Sequence, residues 1–498
     1  MPSLFVSHSS QDNQLTAVIA QQLRNRGFDA LFVDFDPQDG IPAGRNWEQE
    51  LYAQLRKADG VVFLASPASV ESPWCLVEVS LARSIGKPVI PVLVAGTERL
   101  SVLRDVQWID LTSANDTSFE RLLTGLDRAG LDPRDSFHWN PDRSPYPGLE
   151  AFGSADAAVF FGRKKEIAEL RDRLQRTLQR GRGQAIAVIG PSGSGKSSLV
   201  GAGLLPQLAR LHDKWVVVPR LVPGQRPRAH LARSLSRAFA SQGRDLAAAD
   251  LESLLADGPA SLVELSHQLC ARTDGSSASN LMLFVDQAEE LVTNATPDER
   301  ACFLQLLRGA LHADSPLWVV ATLRSEFLGR FLIQTGSADV FDETYVLGPL
   351  SRERLPEVIE GPSRRAGIDF EAGLVHRIVQ DTAGGDSLPL LAYTLRRLYE
   401  LSRPGRRITI ADYENVGGVL GALRRQADGV LRELTKKYER EAVLNTLLQL
   451  VSIEQGGELA RRPLRMASLS PAQVEMVEAL VMHASCAHMR WKARAWSR

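Results

Sequence analysis

Cysteine is scarce in this chain: four occur in 498 residues, Cys75, Cys270, Cys302 and Cys486, with no C-x-x-C pair among them. That excludes a disulfide-stapled scaffold and a cysteine-rich zinc module, and it suits a reducing compartment. No apolar run approaches the roughly 18–20 residues a helix needs to cross a bilayer, so a membrane span is not expected. Neither sign of charge dominates. The 58 Lys and Arg against 59 Asp and Glu leave a formal net charge of −1, which argues against a chain that coats nucleic acid or an anionic membrane as a whole. No repeat of about 20–50 residues is visible, so a propeller or solenoid is excluded. The chain runs straight into Leu4-Phe5-Val6 without a basic leader, so a signal peptide is not expected and a cytoplasmic location is. What is present is ordinary for a globular protein, 44% apolar and 23% charged. At about 150 residues per domain the length suggests roughly three domains.

The most specific feature is Gly190-Pro191-Ser192-Gly193-Ser194-Gly195-Lys196-Ser197, a complete G-x-x-x-x-G-K-S phosphate loop. The apolar run Ala185–Ile189 supplies the strand entering it, and Ser198-Leu199-Val200 starts the helix leaving it. Glycines let successive backbone N–H groups turn toward phosphate oxygens, and the helix N-terminus adds its dipole. Lys196 is expected on the β- and γ-phosphates and the Ser197 hydroxyl on Mg²⁺. A partner strand, Leu281–Val285, ends in Asp286, the expected metal acid, followed by Gln287-Ala288-Glu289-Glu290. Glu289 and Glu290 both stand where a carboxylate would polarise an attacking water. A third strand, Leu317–Leu323, ends in Arg324, a cation suited to sensing a γ-phosphate or stabilising developing charge.

Around this middle the chain divides by pattern. Residues 1–115 alternate short apolar strands (Leu4–Ser7, Ala30–Val33, Gly60–Ala65, Pro88–Val94) with helical stretches (Gln14–Arg26, Trp47–Lys57, Trp74–Ser84). Such alternation predicts a parallel α/β sheet wrapped by helices. Residues 116–148 form a linker, with four prolines between 132 and 148. A second alternating α/β region follows over 149–350, and the pattern then turns mostly helical, as in Leu388–Leu401 and Val419–Leu434.

Five ordered motifs over about 145–480 resemble the STAND class of signal-transduction ATPases, in particular its bacterial branch. They are Pro145-Tyr146-Pro147-Gly148-Leu149, Phe160-Phe161-Gly162-Arg163 and the phosphate loop, then Asp286-Gln287-x-Glu289-Glu290 with Thr322-Leu323-Arg324, and Ser387-Leu388-Pro389-Leu390-Leu391. The resemblance implies an ATP-binding set of Gly162, Arg163, Gly190, Ser192–Ser198, Arg324 and Pro389, with Gly162 and Arg163 near adenine and ribose and Pro389 in a helical lid. It implies a lid over 351–406 and a winged-helix segment over 407–480 that acts as an intramolecular clamp; DNA binding is not expected of it. It further implies a switch, closed with ADP and self-associating with ATP, that responds to an unknown trigger and is reset by slow hydrolysis.

The front region resembles a TIR domain, of flavodoxin-like α/β fold, through Phe5-Val6-Ser7-His8, the loop Asp39–Trp47, and Ser72-Pro73-Trp74-Cys75-Leu76-Val77-Glu78. On that resemblance Glu78 is the catalytic residue of an NAD⁺ nucleosidase, the pocket being completed across two adjacent TIR domains. The chemistry suits a carboxylate, because breaking the nicotinamide–ribose bond leaves an oxocarbenium-like cation that a fixed anion stabilises. Phe5 and Trp47 are candidates to stack on the leaving ring, and Ser7, His8 and Arg45 are candidate polar contacts. Phe5 also reads as core, His8 as a helix cap and Arg45 as a solvated loop cation. A non-enzymatic TIR scaffold and a transcription regulator acting through the winged helix are the competing readings. From Met482 onward the chain has four basic residues and no acidic one. That 481–498 stretch reads either as a basic tail or as the mark of a shifted frame or truncation.

Overall fold

A computed structural model describes the chain except residues 1–2, 37–39, 42–45, 114–115, 181–183, 212–213, 272–279, 313, 336–340, 342, 383–387, 403–406, 450, 454–458, 462–467 and 485–498. Arg45, Ser387 and the basic tail beyond 484 therefore lie outside the described residues. Two compact units divide the chain, Met1–Ile408 and Thr409–Arg498.

The first unit opens with β1 (Leu4–Ser7), α1 (Asn13–Asn25), β2 (Leu31–Phe32), α2 (Trp47–Lys57), β3 (Gly60–Ala65), α3 (Pro67–Glu71), α4 (Pro73–Ser84), β4 (Val89–Leu93), β5 (Ile109–Asp110) and α5 (Asp116–Arg128). The strands form one parallel sheet in the order β2-β1-β3-β4-β5. Both faces are covered, so the strands read as near-continuous apolar runs. Side chains nevertheless alternate between two cores. Leu4 and Val6 pack with α1 and with Phe119, Leu122, Leu126 and Leu131, so residues 116–131, expected as linker, are part of this core, whereas Phe5 packs with Leu51, Leu55, Cys75 and Val79 of α2 and α4. Ser7, two residues beyond Phe5, shares the α4 side.

The second sheet belongs to α6 (Lys164–Arg180), β6 (Ala185–Gly190), α7 (Lys196–Ser198), a π-helical turn Leu199–Leu204, α8 (Leu205–Ala209), β7 (Trp215–Val217), α9 (Pro227–Ser241), α10 (Ala248–Ala256), α11 (Pro259–Cys270), β8 (Asn280–Val285), α12 (Glu290–Thr293), α13 (Pro297–Ala310), β9 (Leu317–Arg324), α14 (Leu328–Thr335) and β10 (Glu343–Val346). It too is parallel, in the order β10-β6-β9-β8-β7. β9 thus lies between the strand that feeds the phosphate loop and the strand that ends in Asp286. The π turn departs from a regular helix where two glycines allow close approach. A Cβ on Gly201 would stand 3.0 Å from the Phe152 carbonyl, and one on Gly203 would stand 2.7 Å from Ile167 Cγ1.

Helices α15 (Leu355–Arg365), α16 (Leu374–Asp381) and α17 (Leu388–Leu401) complete this unit. The second unit contains α18 (Ile410–Val416), α19 (Gly418–Leu434), α20 (Arg440–Leu448), an antiparallel pair β11 (Val451–Ile453) and β12 (Leu459–Arg461), and α21 (Pro471–Ala484). Leu434, Val443 and Met476 from α19, α20 and α21 form its core.

Candidate functional site

Sheet alternation assembles the first site. In β8 and β9 the residues Met282, Phe284, Trp318 and Val320 pack on the side of the phosphate-loop helix, with Leu199 and Val200. Continuing that phase, Asp286 and Thr322 emerge on the same side, beside Ser197. The Ser197 hydroxyl donates to Asp286 Oδ1 at 2.6 Å, and the Thr322 hydroxyl donates to the same oxygen at 2.5 Å. Asp286 is fully buried, and its Oδ2 has no hydrogen-bond partner, although Arg220 Nε lies 3.2 Å away.

Ser197 and Thr322, which hold Asp286 behind them, line a cavity that gathers motifs spread along the chain. Its walls include Ser192–Ser198 of the loop, Tyr146–Phe152 of the Pro-Tyr-Pro-Gly-Leu strap, Phe160, Phe161 and Arg163, then Glu289, Arg324 and Pro389. Gly193 and Gly195 take left-handed backbone angles, φ 75° and 90°, which a side chain would resist. Lys196 Nζ donates to the carbonyls of Gly190 and Pro191 at 2.8 and 2.7 Å, and burial lowers its pKa. Arg163 ties the aromatic turn to the loop, donating to Ser194 O at 2.9 Å, Gly348 O at 3.1 Å and Glu166 Oε1 at 2.9 Å. Gly162 has φ 84° and sits against Val358, whose Cγ2 would be 2.6 Å from an added Cβ. Ser198 is already engaged, its Oγ accepting from the Phe152 amide at 3.1 Å.

The donor set fits a hard divalent cation: a serine hydroxyl beside a buried carboxylate that keeps one oxygen without a hydrogen bond. Ser197 and Asp286 would hold Mg²⁺, which when bound screens phosphate charge. The two following acids separate by position. Glu289 lines the cavity and faces Arg324, whose Nε is 3.1 Å from Oε1. Glu290 turns to the chain after β7 and accepts the Gly224 amide at 3.0 Å. Gln287, with φ 56°, makes this reversal, and its amide donates to Thr322 Oγ1 at 2.9 Å. Burial raises the pKa of both acids.

The second site lies in the front sheet. Connections leave β1 toward β2 and leave β3 toward β4, so the crevice at the C-terminal ends of β1 and β3 is a topological switch point, where α/β sheets place ligands. Ser7 ends β1. Helix α4 begins there with Ser72 as N-cap and Pro73 in its first turn, and it buries Cys75, Glu78, Val79 and Ala82. A carboxylate on that apolar stripe breaks the pattern. Glu78 is 5% exposed, and its Oε2 accepts from the Ser7 hydroxyl at 2.5 Å. Burial pushes its pKa up to about 7, with Asp34 adding to the rise and Ser7 opposing it.

The other candidates fall around this pair unevenly. Phe5 is 1% exposed and stacks on Phe32 at 5.3 Å between ring centres, so it is a core residue with no surface to offer. His8 Nε2 pairs with Asn13 Oδ1 at 3.0 Å, at the start of α1, and lies 3.5 Å from Asp34. Trp47 is exposed and meets the exposed Trp74 edge to face at 5.0 Å. Thr322 belongs to the Thr322-Leu323-Arg324 motif, but its bond to Asp286 is not announced by the sequence, and nothing in the sequence points to Arg220. Among the described residues no cluster of three or more His, Cys, Asp or Glu could hold a metal, and no helix is long and apolar enough to cross a membrane.

A parallel sheet whose phosphate loop meets a buried acid across an intervening strand defines a P-loop NTPase, here joined to a TIR-like α/β domain. The chain belongs to the novel STAND NTPase 1 family, whose model matches residues 145–488, and a TIR domain model matches residues 4–123. Similar solved structures include the TIR domain of the Toll-related receptor TRR-2 from Hydra magnipapillata. It is 13% identical over 26% of this chain and 99% of that one, with a TM-score of 0.23. The Aeropyrum pernix ORC1 protein in complex with DNA is 16% identical over 68% of this chain and 83% of that one, TM-score 0.37. A Walker-type ATPase of Pyrococcus abyssi is 15% identical over 67% and 92%, TM-score 0.37. No curated protein matches the chain.

Proposed function

We propose that this protein is an ATP-switched NAD⁺ nucleosidase, with Glu78 as the catalytic carboxylate and self-association as the switched step. The observation that carries the reading is the buried Ser7–Glu78 pair at the switch point of the front sheet. A carboxyl held near pH 7 by burial becomes an anion when a cationic nicotinamide ring enters beside it. The C1′–N bond then breaks and its electron pair leaves with nicotinamide, which departs neutral. Glu78 stabilises the ribosyl cation, water adds its oxygen to C1′, and the proton released passes to the carboxylate or solvent. Cyclisation would replace the water with an adenine nitrogen of the same molecule. The exposed Trp47 is the aromatic candidate to stack on the ring, and Ser7 orients the acid.

In the nucleotide cavity Lys196 swings from its two carbonyls to the phosphates, Glu289 orients the attacking water, and Arg324 faces the γ-phosphate. ATP-driven association raises the local concentration of front domains, which stand idle when apart. Destroying a central cofactor on a trigger suits a defence role. Incubating the full chain with NAD⁺, with and without Mg·ATP, tests the reading: nicotinamide release should require ATP and vanish in Glu78→Gln. Release undiminished in that variant overturns the assignment, and no release from an ATP-loaded assembly leaves the front domain a docking scaffold.

A further inference from the structure

Two elements that wall the nucleotide cavity end on the front domain. The phosphate-loop helix runs through the π turn and α8 to Arg210. This guanidinium donates to the carbonyls of Gly27 at 2.9 Å and Pro133 at 2.5 Å, and also to Ser136 O and the Asp29 carboxylate. It lies 4.0 Å over the ring of Phe137. One turn earlier Gln207 donates to Asp135 Oδ1 at 2.6 Å.

The other element is α15. Val358 and Pro362 line the cavity, and the Ile359 carbonyl accepts from the buried Tyr146 hydroxyl of the strap. Gly361 lets the Phe161 ring lie flat on the helix, since an added Cβ would be 2.5 Å from its Cγ. The C-terminal end of α15 reaches Asp59, at the foot of β3. Arg364 Nη1 is 3.8 Å from Asp59 Oδ1, and the partly buried Arg365 adds a second positive charge that favours the ionised carboxylate. Lys57 of α2 packs on Gly367 just beyond, its Cε 2.7 Å from where a Cβ would stand.

We propose that the TIR domain is latched to the nucleotide-binding body at two seams, Arg210 with residues 27–29 and 133–137, and Arg364–Arg365 with Asp59. The elements carrying these arginines transmit the state of the cavity to the latch, a step that rests on the reading of residues 190–197 as a nucleotide site. One seam meets the chain just before β2 and the other just before β3, the end of the sheet opposite Ser7 and Glu78. The latch therefore leaves the crevice uncovered and fixes where it points. Opening it lets the domain meet a second copy without altering the chemistry around Glu78. A ligand opens it only through contacts that differ between the two states, and Val358 and Pro362 are where α15 would make them, since both line the cavity.

Hydrogen–deuterium exchange on the full chain tests the latch. Without nucleotide, Arg210→Ala should raise exchange in residues 131–137 at least tenfold over the parent, and Arg364→Ala should do the same in 357–367. Small-angle scattering should show a more extended particle for the double variant. A non-hydrolysable Mg·ATP analogue should reproduce these changes in the parent. Parent-like exchange in both single variants overturns the latch. Protection of 190–198 by the analogue without any change at 131–137 or 357–367 overturns the transmission. Loss of protection at 190–198 itself would mark failure of the nucleotide reading, separately from the latch. None of these readouts depends on whether Glu78 cleaves NAD⁺.

Discussion

Ser7 and Glu78, 71 residues apart in sequence, share a buried 2.5 Å hydrogen bond at the head of the front sheet. Because burial raises the Glu78 pKa from 4.5 to about 7, the folded state holds this proton more tightly than the unfolded chain. The stabilising protonated form is complete below about pH 4.5 and is lost as pH rises through about 7. Glu78→Gln keeps the shape and removes the titration. It should match the parent's stability near pH 4 and exceed it above pH 7, by on the order of 2–3 kcal/mol. Denaturant unfolding at both pH values checks this, and a constant difference between the two proteins would contradict it.

Ser7→Ala removes the Ser7 hydroxyl bond that favours the Glu78 anion. The pKa should rise further, since burial and Asp34 both push upward. The pH profile of nicotinamide release should therefore shift to the alkaline side relative to the parent. A structural role for Ser7 alone would lower the rate equally at every pH.

Much of this arrangement was legible in the sequence, and the reasons differ by element. β1, β3, α2 and α17 fall where the apolar periodicity puts them, because each buries a full face. The edge strand β2 lies within the expected Ala30–Val33, but the edge strands β5, β7 and β10 have no counterpart in that reading. Glu343–Val346 is half exposed at the margin of its sheet and carries no alternation strong enough to read. β5, two residues long, was missed for the same reason. The phosphate loop, Asp286 and Glu78 stand out in the sequence because each is a residue type that the proposed chemistry would require. The division of labour between Glu289 and Glu290 was not, because it is set by the backbone reversal at Gln287, a conformation no neighbouring residue type announces. Arg210 was invisible for a related reason: its partners are mostly backbone carbonyls, which leave no mark on sequence.

Thr322→Val tests the shared oxygen of Asp286. The replacement preserves volume but removes the donor to Oδ1 and the acceptor for the Gln287 amide. Leaving a buried amide unsatisfied costs about 1–3 kcal/mol. The variant should lose Mg²⁺-dependent nucleotide affinity by roughly tenfold or more, with a smaller effect on Mg²⁺-free binding, as measured by titration with a fluorescent ATP analogue.

Two glycines of the phosphate loop should fail for different reasons. A Cβ on Gly190 would land on the Leu347 carbonyl, so Gly190→Ala must push the loop away from β10. Such overpacking costs about 1–3 kcal/mol and displaces the amides that meet phosphate. Gly195 has open space around its Cβ position but φ 90°, so Gly195→Ala incurs only backbone strain, about 1–2 kcal/mol. Gly190→Ala should therefore abolish nucleotide binding at concentrations that still saturate Gly195→Ala.

Glu289 and Glu290 offer the sharpest separation of roles. Glu289 stands in the cavity against Arg324, so Glu289→Gln should reduce ATP hydrolysis by about 10²–10⁴-fold, the usual cost of losing a positioned base. It should leave ATP affinity nearly unchanged and hold the protein in its ATP-loaded form, raising the assembled fraction in analytical ultracentrifugation. Glu290 points to the Gly224 amide instead, so Glu290→Gln keeps an acceptor there and should hydrolyse ATP within a few-fold of the parent. Equal loss in the two variants would show that the acid nearer the phosphates is not chosen by the geometry of the Gln287 reversal.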